Sequence, residues 1–252
     1  MDRRRLIAGN WKMNLTVPAA ISLAKSVQDA AERNPAVEVA VFPSFVSLFR
    51  VAQVASGSVL SVGAQDVFWK EGGAYTGEIS ASMLLDAGCK YCIVGHSERR
   101  GRFGVPEDTP EGFFAETNAT VSRKISALLF AGITPILCVG ETAAERSAGS
   151  TARVIETQLR EALVDVEVTD LIVAYEPVWA IGTGSVCEPE GAERQCAFIR
   201  DVCAIDGLRV LYGGSVKGDN ARSLFAMPSI DGGLVGGASI NADEFTKIIN
   251  TK

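Results

Sequence analysis

The chain has 252 residues, of which 47% are hydrophobic and 21% are charged, and its formal net charge at pH 7 is −6. These proportions are those of a soluble globular protein that is long enough for one large α/β domain or two small ones. The acidic balance, without a block of like charges, disfavours nucleic acid and anionic membranes as partners. It leaves room for a small anionic substrate in a locally positive pocket.

No export signal or membrane span is predicted. The N-terminus is basic, but its apolar run is only Leu6-Ile7-Ala8, and no stretch approaches the ~20 apolar residues of a transmembrane helix. The six cysteines therefore indicate reduced thiols in a cytoplasmic protein. Cys89 and Cys92 form a C-x-x-C pair, but no second pair or histidine has matching spacing, which disfavours structural zinc.

Eight short apolar segments, rich in β-branched residues and followed by small or polar residues, predict buried parallel strands. They are "RLIAGN" (5–10), "VEVAVFP" (37–43), "VLSVGAQ" (59–65), "KYCIVG" (90–95), "ITPILCVG" (133–140), "LIVAYE" (171–176), "LRVLYGG" (208–214) and "GGLVGG" (232–237).

Helices are predicted between these strands. Residues 18–33 have apolar positions at helical spacing, and Pro18 suits a first turn. Residues 189–204 also begin with a proline, residues 119–132 end at Gly132, and residues 241–250 begin at Asn241, a suitable cap.

Strand and helix thus alternate eight times, which predicts a (β/α)8 barrel: a closed, parallel eight-stranded sheet with outer helices. A doubly wound open sheet is the alternative, but no G-x-G-x-x-G follows the first strand. No shift in composition marks a linker, so residues 1–252 are predicted to form a single domain.

Active sites of such barrels lie at the C-terminal ends of the strands. Polar residues and glycines follow seven of the eight predicted strands there. They are Asn10 and Lys12 (first strand), Gln65 (third), His96 (fourth), Cys138 and Glu141 (fifth), Glu176 (sixth), Gly213, Gly214 and Ser215 (seventh), and Gly236 and Gly237 (eighth).

Three of these side chains suggest specific chemistry. Glu176 ends an apolar run before Pro177, and a carboxylate among apolar neighbours has a raised pKa and can serve as a base. The alternative is a capping or salt-bridge glutamate. His96 is the only histidine of the chain and precedes a predicted helix start at Ser97, which favours a neutral, hydrogen-donating imidazole. Lys12 is interpreted as a fixed positive charge rather than a solvated surface lysine.

The glycine pairs after strands seven and eight let backbone N–H groups approach an anion, and phosphate sites recur at this place in barrels. A base, a neutral electrophile, a cation and a phosphate site suit proton transfer next to the carbonyl of a sugar phosphate. The single histidine and the scattered carboxylates form no metal-ligand set, so neither metal nor cofactor is predicted.

The sequence closely resembles the triosephosphate isomerase family over nearly its whole length, in the family's order. The matching stretches are "GNWKMN" (9–14), "AYTGEIS" (74–80), "GHSERR" (95–100), "CVGET" (138–142), "AYEPVWAIGTG" (174–184), "YGGSV" (212–216) and "DGGLVGGAS" (231–239). Of these, "AYEPVWAIGTG" is highly specific. The pairing of a glutamate base with a neutral histidine is already known for this family.

The resemblance implies a role for each matched residue. Glu176 would move the proton between C1 and C2, His96 would polarise the carbonyl, and Asn10 and Lys12 would hold the substrate. Residues 177–184 would form a lid over the phosphate, to which backbone N–H groups of Gly182, Ser215, Gly236 and Gly237 would donate. Supporting residues would be Ser97, Glu98 (paired with Lys12), Cys138, Ile181 and Leu234. The last two would exclude water from the Glu176 carboxylate.

The resemblance also implies assembly. The loop with Tyr75, Thr76 and Gly77 would insert into a second subunit, giving a homodimer or a tetramer. The chain departs from the family after Gly104: residues 103–118 form a longer loop, with Phe113 and Phe114 in the extra part. The family's usual acidic residue is not in register, and Glu107 is the candidate to replace it.

Several functions remain open from the sequence. The first is isomerisation of glyceraldehyde 3-phosphate and dihydroxyacetone phosphate, a step of glycolysis and gluconeogenesis. Others are an isomerase of a four-carbon ketose phosphate, a catalytically inactive scaffold barrel, and a metal-dependent aldolase. The intact "GNWKMN" and "GGAS" stretches favour the three-carbon substrate.

Overall fold

The fold was analysed in a computed structural model that describes residues 3–105 and 116–251. Eight parallel strands form a closed barrel in sequence order, with β1 paired to both β2 and β8. They are β1 (Leu6–Asn10), β2 (Glu38–Phe42), β3 (Leu60–Ala64), β4 (Tyr91–Val94), β5 (Thr134–Val139), β6 (Ile172–Tyr175), β7 (Arg209–Tyr212) and β8 (Gly232–Val235). The predicted (β/α)8 barrel is confirmed, and the open sheet is excluded.

Helices lie between the strands along the chain. They are α1 (Val17–Arg33), α2 (Phe45–Ala55), α3 (Ala81–Asp86), α4 (Asn118–Ala131), α5 (Ala143–Ser147), α6 (Thr151–Ala162), α7 (Pro189–Cys203), α8 (Ala221–Phe225) and α9 (Ala242–Ile249). Short 3-10 helices, Ser97–Arg100, Val178–Ala180 and Gly237–Ile240, follow β4, β6 and β8. None of the helices described here is long and apolar enough to cross a membrane.

The predicted helix boundaries agree with α1, α4, α7 and α9 to within one residue at each end. Pro18 stands in the first turn of α1, where its missing N–H costs no hydrogen bond. Gly132 ends α4 with a φ of 79°, a left-handed conformation that favours glycine. Asn241 caps α9 by accepting the backbone N–H of Glu244 at 3.0 Å.

The strands are buried on both faces because their side chains alternate between two cores. Outward side chains such as Ile7 and Val41 pack with the helices. Inward side chains such as Phe42, Ile93 and Cys138 fill the barrel. A side chain at Gly63 of β3 would collide with the Phe42 ring at 2.3 Å, so this glycine makes room for Phe42.

The prediction of a single domain over residues 1–252 stays a prediction. The longer loop at 103–118 is only partly described. Phe113, Phe114 and the proposed substitute Glu107 lie outside the described residues, which resume at Glu116, just before α4.

Candidate active site

The end of β1 holds Asn10 and Lys12 in one rigid turn. Asn10 is buried, and its Oδ1 accepts the backbone N–H of Lys12 at 3.1 Å. Lys12 has a φ of 51°, in the left-handed region that residues other than glycine seldom adopt. Gln65, directly after β3, donates from Nε2 to the Lys12 carbonyl oxygen at 2.8 Å. The Lys12 ammonium forms an ion pair with Glu98, which keeps the cation at the rim.

His96 follows β4 and caps the 3-10 helix Ser97–Arg100. Its Nδ1 accepts the backbone N–H of Glu98 at 3.2 Å, and its Nε2 lies 3.0 Å from Oε1 of Glu176. An Nδ1 that accepts a hydrogen bond carries no proton, so the proton of the neutral ring is on Nε2 and faces Glu176. A cationic ring would have to give up the bond from Glu98.

Glu176 follows β6 and is only 2% exposed. Its Oε2 accepts the backbone N–H of Ser97 at 2.9 Å, and its Oε1 lies 3.3 Å from the Ser97 hydroxyl, which donates to it. The backbone is fixed as well, because Glu176 N donates to Val139 O at 2.7 Å. Cys138 is fully buried inside the barrel, and the Glu176 carboxylate adds to the burial that raises the pKa of its thiol. Cys138 is therefore inert and serves as packing.

The pKa of Glu176 differs from the sequence-based expectation. Burial raises it, as predicted, but His96, the Ser97 N–H and Lys12 outweigh burial and bring the pKa below its usual value. Conversely, burial lowers the pKa of His96, whereas Glu176 and Glu98 raise it above the ordinary imidazole value. The expected rise of the Glu176 pKa is not found in the free site, because only local sequence neighbours were weighed and not the opposite partner that the fold supplies. The neutral His96 stays a prediction, with which the acceptor role of Nδ1 agrees.

A cavity of about 830 Å³ opens at this rim. It brings together residues from both halves of the barrel, and its lining includes the following predicted site residues: Asn10, Lys12, His96, Ile181, Gly182, Ser215, Leu234, Gly236 and Gly237. Glu176, Ser97, Glu98 and Cys138 do not line it. The carboxylate of Glu176 is thus close to the cavity but turned away, onto Ser97.

The glycines at this rim serve two purposes. A Cβ on Gly214 would lie 2.2 Å from the Tyr212 hydroxyl, and one on Gly213 would lie 3.0 Å from Tyr175 O, so both are required by packing. Gly236 directly precedes the 3-10 helix that begins at Gly237, and helix N-termini present free N–H groups to anions. The glycine end of the cavity lies beside Lys12, since a Cβ on Gly236 would be 3.8 Å from the Lys12 Nζ.

Residues 177–184, the segment that we call the lid, are anchored at their start. Trp179 Nε1 donates to Glu141 Oε1 at 2.9 Å, and the hydroxyl of Tyr175 donates to the same carboxylate at 3.2 Å. The Arg146 guanidinium stacks 3.6 Å from the centre of the Trp179 ring. The sequence located Glu141 at the rim but did not reveal these partners, because two of them come from another βα unit.

Gly104 packs directly against the lid. A Cβ on Gly104 would lie 2.2 Å from Ile181 O and 2.5 Å from Val178 O. A Cβ on Gly182 would lie 4.0 Å from Cγ2 of Val105, the next residue. The point where the chain leaves the family pattern is therefore in contact with the lid.

The loop predicted to contact a second subunit lies apart from the cavity. Tyr75, Thr76 and Gly77 are exposed in the segment after β3, where the Tyr75 ring packs 4.8 Å from that of Phe68. They do not line the cavity.

Glu116, near the end of the longer loop, joins Asp66 beside Arg99. Glu116 forms an ion pair with the buried Lys124 and lies 3.9 Å from Arg99. Asp66 completes this cluster, 2.6 Å from Lys124 and 2.7 Å from Arg99. Sequence reasoning missed Glu116 because it was sought directly after Gly104. The spacing to Lys124 on the next helix was the signal that could have found it.

No group of three or more His, Cys, Asp or Glu side chains is arranged to hold a metal ion within residues 3–105 and 116–251. All six cysteines lie in these ranges and are free thiols.

Together, the closed sheet and its rim of polar strand ends define a (β/α)8-barrel protein with a cavity at the C-terminal ends of its strands. The family model described as triosephosphate isomerase matches residues 5–252. The chain is 46% identical to the triosephosphate isomerase of Rhodopirellula baltica, covering 99% of this chain and 98% of that protein. It is 47% identical to that of Moorella thermoacetica, covering 98% of each. The chain belongs to the triosephosphate isomerase family.

A solved structure agrees with this assignment. The crystal structure of triosephosphate isomerase from Bartonella henselae superposes with a TM-score of 0.84 and 34% sequence identity, covering 97% of each chain.

Proposed function

We propose that the chain interconverts glyceraldehyde 3-phosphate and dihydroxyacetone phosphate through an enediolate, with Glu176 as the base. Its membership of the triosephosphate isomerase family makes it an intramolecular aldose–ketose isomerase. The observation that carries the residue roles is the meeting of His96 and Glu176 beside the cavity, 3.0 Å apart.

The proton transfer requires the carboxylate to change partners. In the free site, Glu176 accepts from Ser97 and faces Nε2 of His96. A substrate oxygen that takes the carboxylate's place on Nε2–H would be polarised by a neutral donor, while Glu176 turns to the adjacent carbon. Leaving Ser97 and His96 removes the contacts that lower the pKa of Glu176. The base therefore gains strength on reaching the substrate.

Asn10 and Lys12 hold the substrate and balance the negative charge of the enediolate. Lys12 is suited to this because its backbone is fixed by Asn10 and Gln65. A positive charge that is already in place needs no reorganisation when the negative charge develops. The Glu98 carboxylate, as its ion-pair partner, sets the position of the ammonium in the free enzyme.

The phosphate binds at the glycine end of the cavity. Gly182 of the lid, Ser215, Gly236 and Gly237 donate backbone N–H bonds to it, and all four line the cavity. Closure of the lid brings Ile181, opposite Leu234, over the carboxylate. Exclusion of water strengthens the electrostatic interactions and keeps the reactive intermediate from losing phosphate.

The chain forms a homodimer through the loop that carries Tyr75, Thr76 and Gly77. Support comes from large apolar side chains that are exposed in the first three βα units: Met13, Phe45, Val46, Phe49, Tyr75, Met83 and Leu85. Such exposure is typical of a protein–protein interface.

The enzyme works in the cytoplasm, with no metal or cofactor, and catalyses one step of glycolysis and gluconeogenesis.

This proposal is tested by the steady-state rates of the purified chain on glyceraldehyde 3-phosphate and on a four-carbon ketose phosphate, measured with excess chelator present. We expect turnover of the three-carbon sugar with the higher kcat/KM. Faster turnover of the four-carbon sugar would contradict the substrate, loss of activity in chelator would indicate a metal enzyme, and no turnover of either would indicate a scaffold protein.

A further inference from the structure

A second cavity, of about 1030 Å³, lies at the end of the barrel opposite the active site. Its lining residues cluster around the starts of the strands: Arg3, Arg4 and Arg5 precede β1, Val37 precedes β2, and Asp231 precedes β8. The catalytic residues, in contrast, follow the strands. None of the lining residues takes part in the mechanism derived above.

The side chains that line this cavity carry mostly positive charge. Four arginines line it, Arg3, Arg4, Arg5 and Arg33, whereas Asp231 is the one carboxylate among the described lining residues. This carboxylate is already engaged by Arg3 at 2.7 Å and by Arg200 at 2.8 Å, and it accepts the N–H of Val210 at 2.8 Å. The protein as a whole carries a net charge of −6, so this positive charge is a local feature.

Arg3 is neutralised by Asp231, whereas Arg4, Arg5 and Arg33 form no ion pair with a carboxylate of the described residues. Arg4 donates to Pro35 O at 2.9 Å, and Arg5 donates to Thr251 O at 2.7 Å, each leaving further N–H donors. Arg5 also stacks 5.3 Å from the centre of the Phe225 ring. Burial lowers the pKa of Arg5. Arg33, in the last turn of α1, forms no ion pair within the described part of the chain.

We propose that these four arginines form a binding site for a small anion that carries two phosphate groups. We call it the basal arginine site. Guanidinium forks match the oxygens of phosphate in bidentate geometry. One phosphate carries about 1.5 to 2 negative charges at neutral pH, so two carry about 3 to 4. This matches the net positive charge left by four guanidinium groups and one carboxylate. A cavity of this size fits a small molecule, and the acidic surface elsewhere disfavours a long polyanion.

The test is calorimetric titration of the full chain with inorganic pyrophosphate at low salt. The active-site cavity also offers a phosphate position, so inhibition of the isomerase by pyrophosphate is measured in parallel to define occupancy there. We expect one pyrophosphate to bind per chain in addition to any pyrophosphate that binds in the active-site cavity and inhibits the enzyme. The double variant Arg4→Gln/Arg33→Gln should lose this extra binding while its kcat, KM and inhibition constant stay unchanged.

The matched control is Arg153→Gln/Arg160→Gln on α6, which changes the net charge equally at a distance from the cavity. It should retain the extra binding. Arg33→Gln alone, at an exposed position without an ion pair, should weaken binding about tenfold and preserve the fold. Absence of extra binding in the unaltered chain, or equal loss in the control, would overturn the proposal. Equal affinity for orthophosphate would overturn the assignment to diphosphates.

Discussion

Nε2 of His96 lies 3.0 Å from Oε1 of Glu176, and both side chains are almost fully buried at the barrel rim. The same carboxylate accepts the backbone N–H of Ser97 at 2.9 Å and does not line the cavity. In the free site the proposed base is thus held by hydrogen-bond donors. The proposed mechanism requires it to leave them, which exposes the Nε2–H of His96 to a substrate oxygen.

The first prediction concerns the imidazole. Glu176→Gln removes the carboxylate that contributes most to raising the pKa of His96, so burial should then dominate and the pKa should fall. His96 is the only histidine, so its titration can be followed by NMR without assignment of other rings.

The control for this prediction is Glu98→Gln. Oε2 of Glu98 lies 3.7 Å from Nδ1 of His96, and its contribution to the raised pKa is smaller. The pKa should therefore fall less than in Glu176→Gln. An equal or larger fall in the control would show that the ion pair with Glu176 is not the principal cause.

The second prediction concerns Gly104. Gly104→Ala would set a Cβ 2.2 Å from Ile181 O and 2.5 Å from Val178 O, so the lid must shift. Because Gly182 of the lid is proposed to bind the phosphate, we expect KM to rise about tenfold with little loss of stability, the effect of one lost charge-assisted hydrogen bond. Steady-state kinetics and thermal unfolding would measure this.

Gly191→Ala is the matched control. Gly191 lies in α7, and an added Cβ would make only ordinary contact, 3.6 Å from Cys187 Sγ. Its kinetic constants should equal those of the unaltered chain. Equal constants for Gly104→Ala as well would mean that the contact with the lid has no effect on substrate binding.

The third prediction concerns acid stability. Glu38 lies 2.6 Å from Lys90 and 2.7 Å from Arg209, and although burial opposes it, these bonds and that from Tyr91 lower the pKa of Glu38 to about 2. The unfolded value is about 4.3. A lowered folded pKa means that the stabilisation is complete above the unfolded value and is lost as pH falls from about 4.3 toward about 2.

Glu38→Gln should therefore lower the free energy of unfolding at neutral pH by about 3 kcal/mol and flatten its decline in acid. Denaturant unfolding at several pH values would measure this. Glu156→Gln, which breaks an exposed pair with Arg160 on α6, should change stability by less than about 1 kcal/mol. If Glu38→Gln lowered the free energy of unfolding no more than Glu156→Gln does, the stabilising role of the ion pairs around Glu38 would be contradicted.

The fourth prediction concerns assembly. Thr76→Arg would add a long charged side chain to the loop that is proposed to insert into a second subunit. We expect sedimentation to give a mass of about two chains for the unaltered protein and of one chain for the variant at micromolar concentration. Val164→Arg, at an exposed position after α6, should stay dimeric. A monomeric unaltered chain would refute the dimer.

The barrel could be predicted from sequence because each strand and helix is encoded locally. The apolar runs at 5–10 and 37–43 match β1 and β2, and Gly132 marks the end of α4. The rim residues followed from the rule that places active sites at strand ends. Local pattern and global fold agree at these positions, as they do in sequences with little frustration.

The electrostatics could not be predicted in this way because the partners are distant in sequence. Glu176 is 80 residues from His96, and Glu38 meets Arg209 only where β2 and β7 approach across the barrel base. The sign of a pKa shift depends on such partners as much as on burial. Glu116 was missed for the same reason, since Arg99 and Asp66, with which it forms a cluster around Lys124, come from earlier parts of the chain.

The central claim is that Glu176 is the base of the isomerisation. Glu176→Asp keeps the charge but withdraws the carboxylate by roughly 1 Å, a misplacement that can cost about a hundredfold in rate. The direct measurement is kcat on glyceraldehyde 3-phosphate for this variant and the unaltered chain, with thermal unfolding as a check on the fold. We predict a kcat about a hundredfold lower at unchanged stability. An unchanged kcat would show that another group moves the proton.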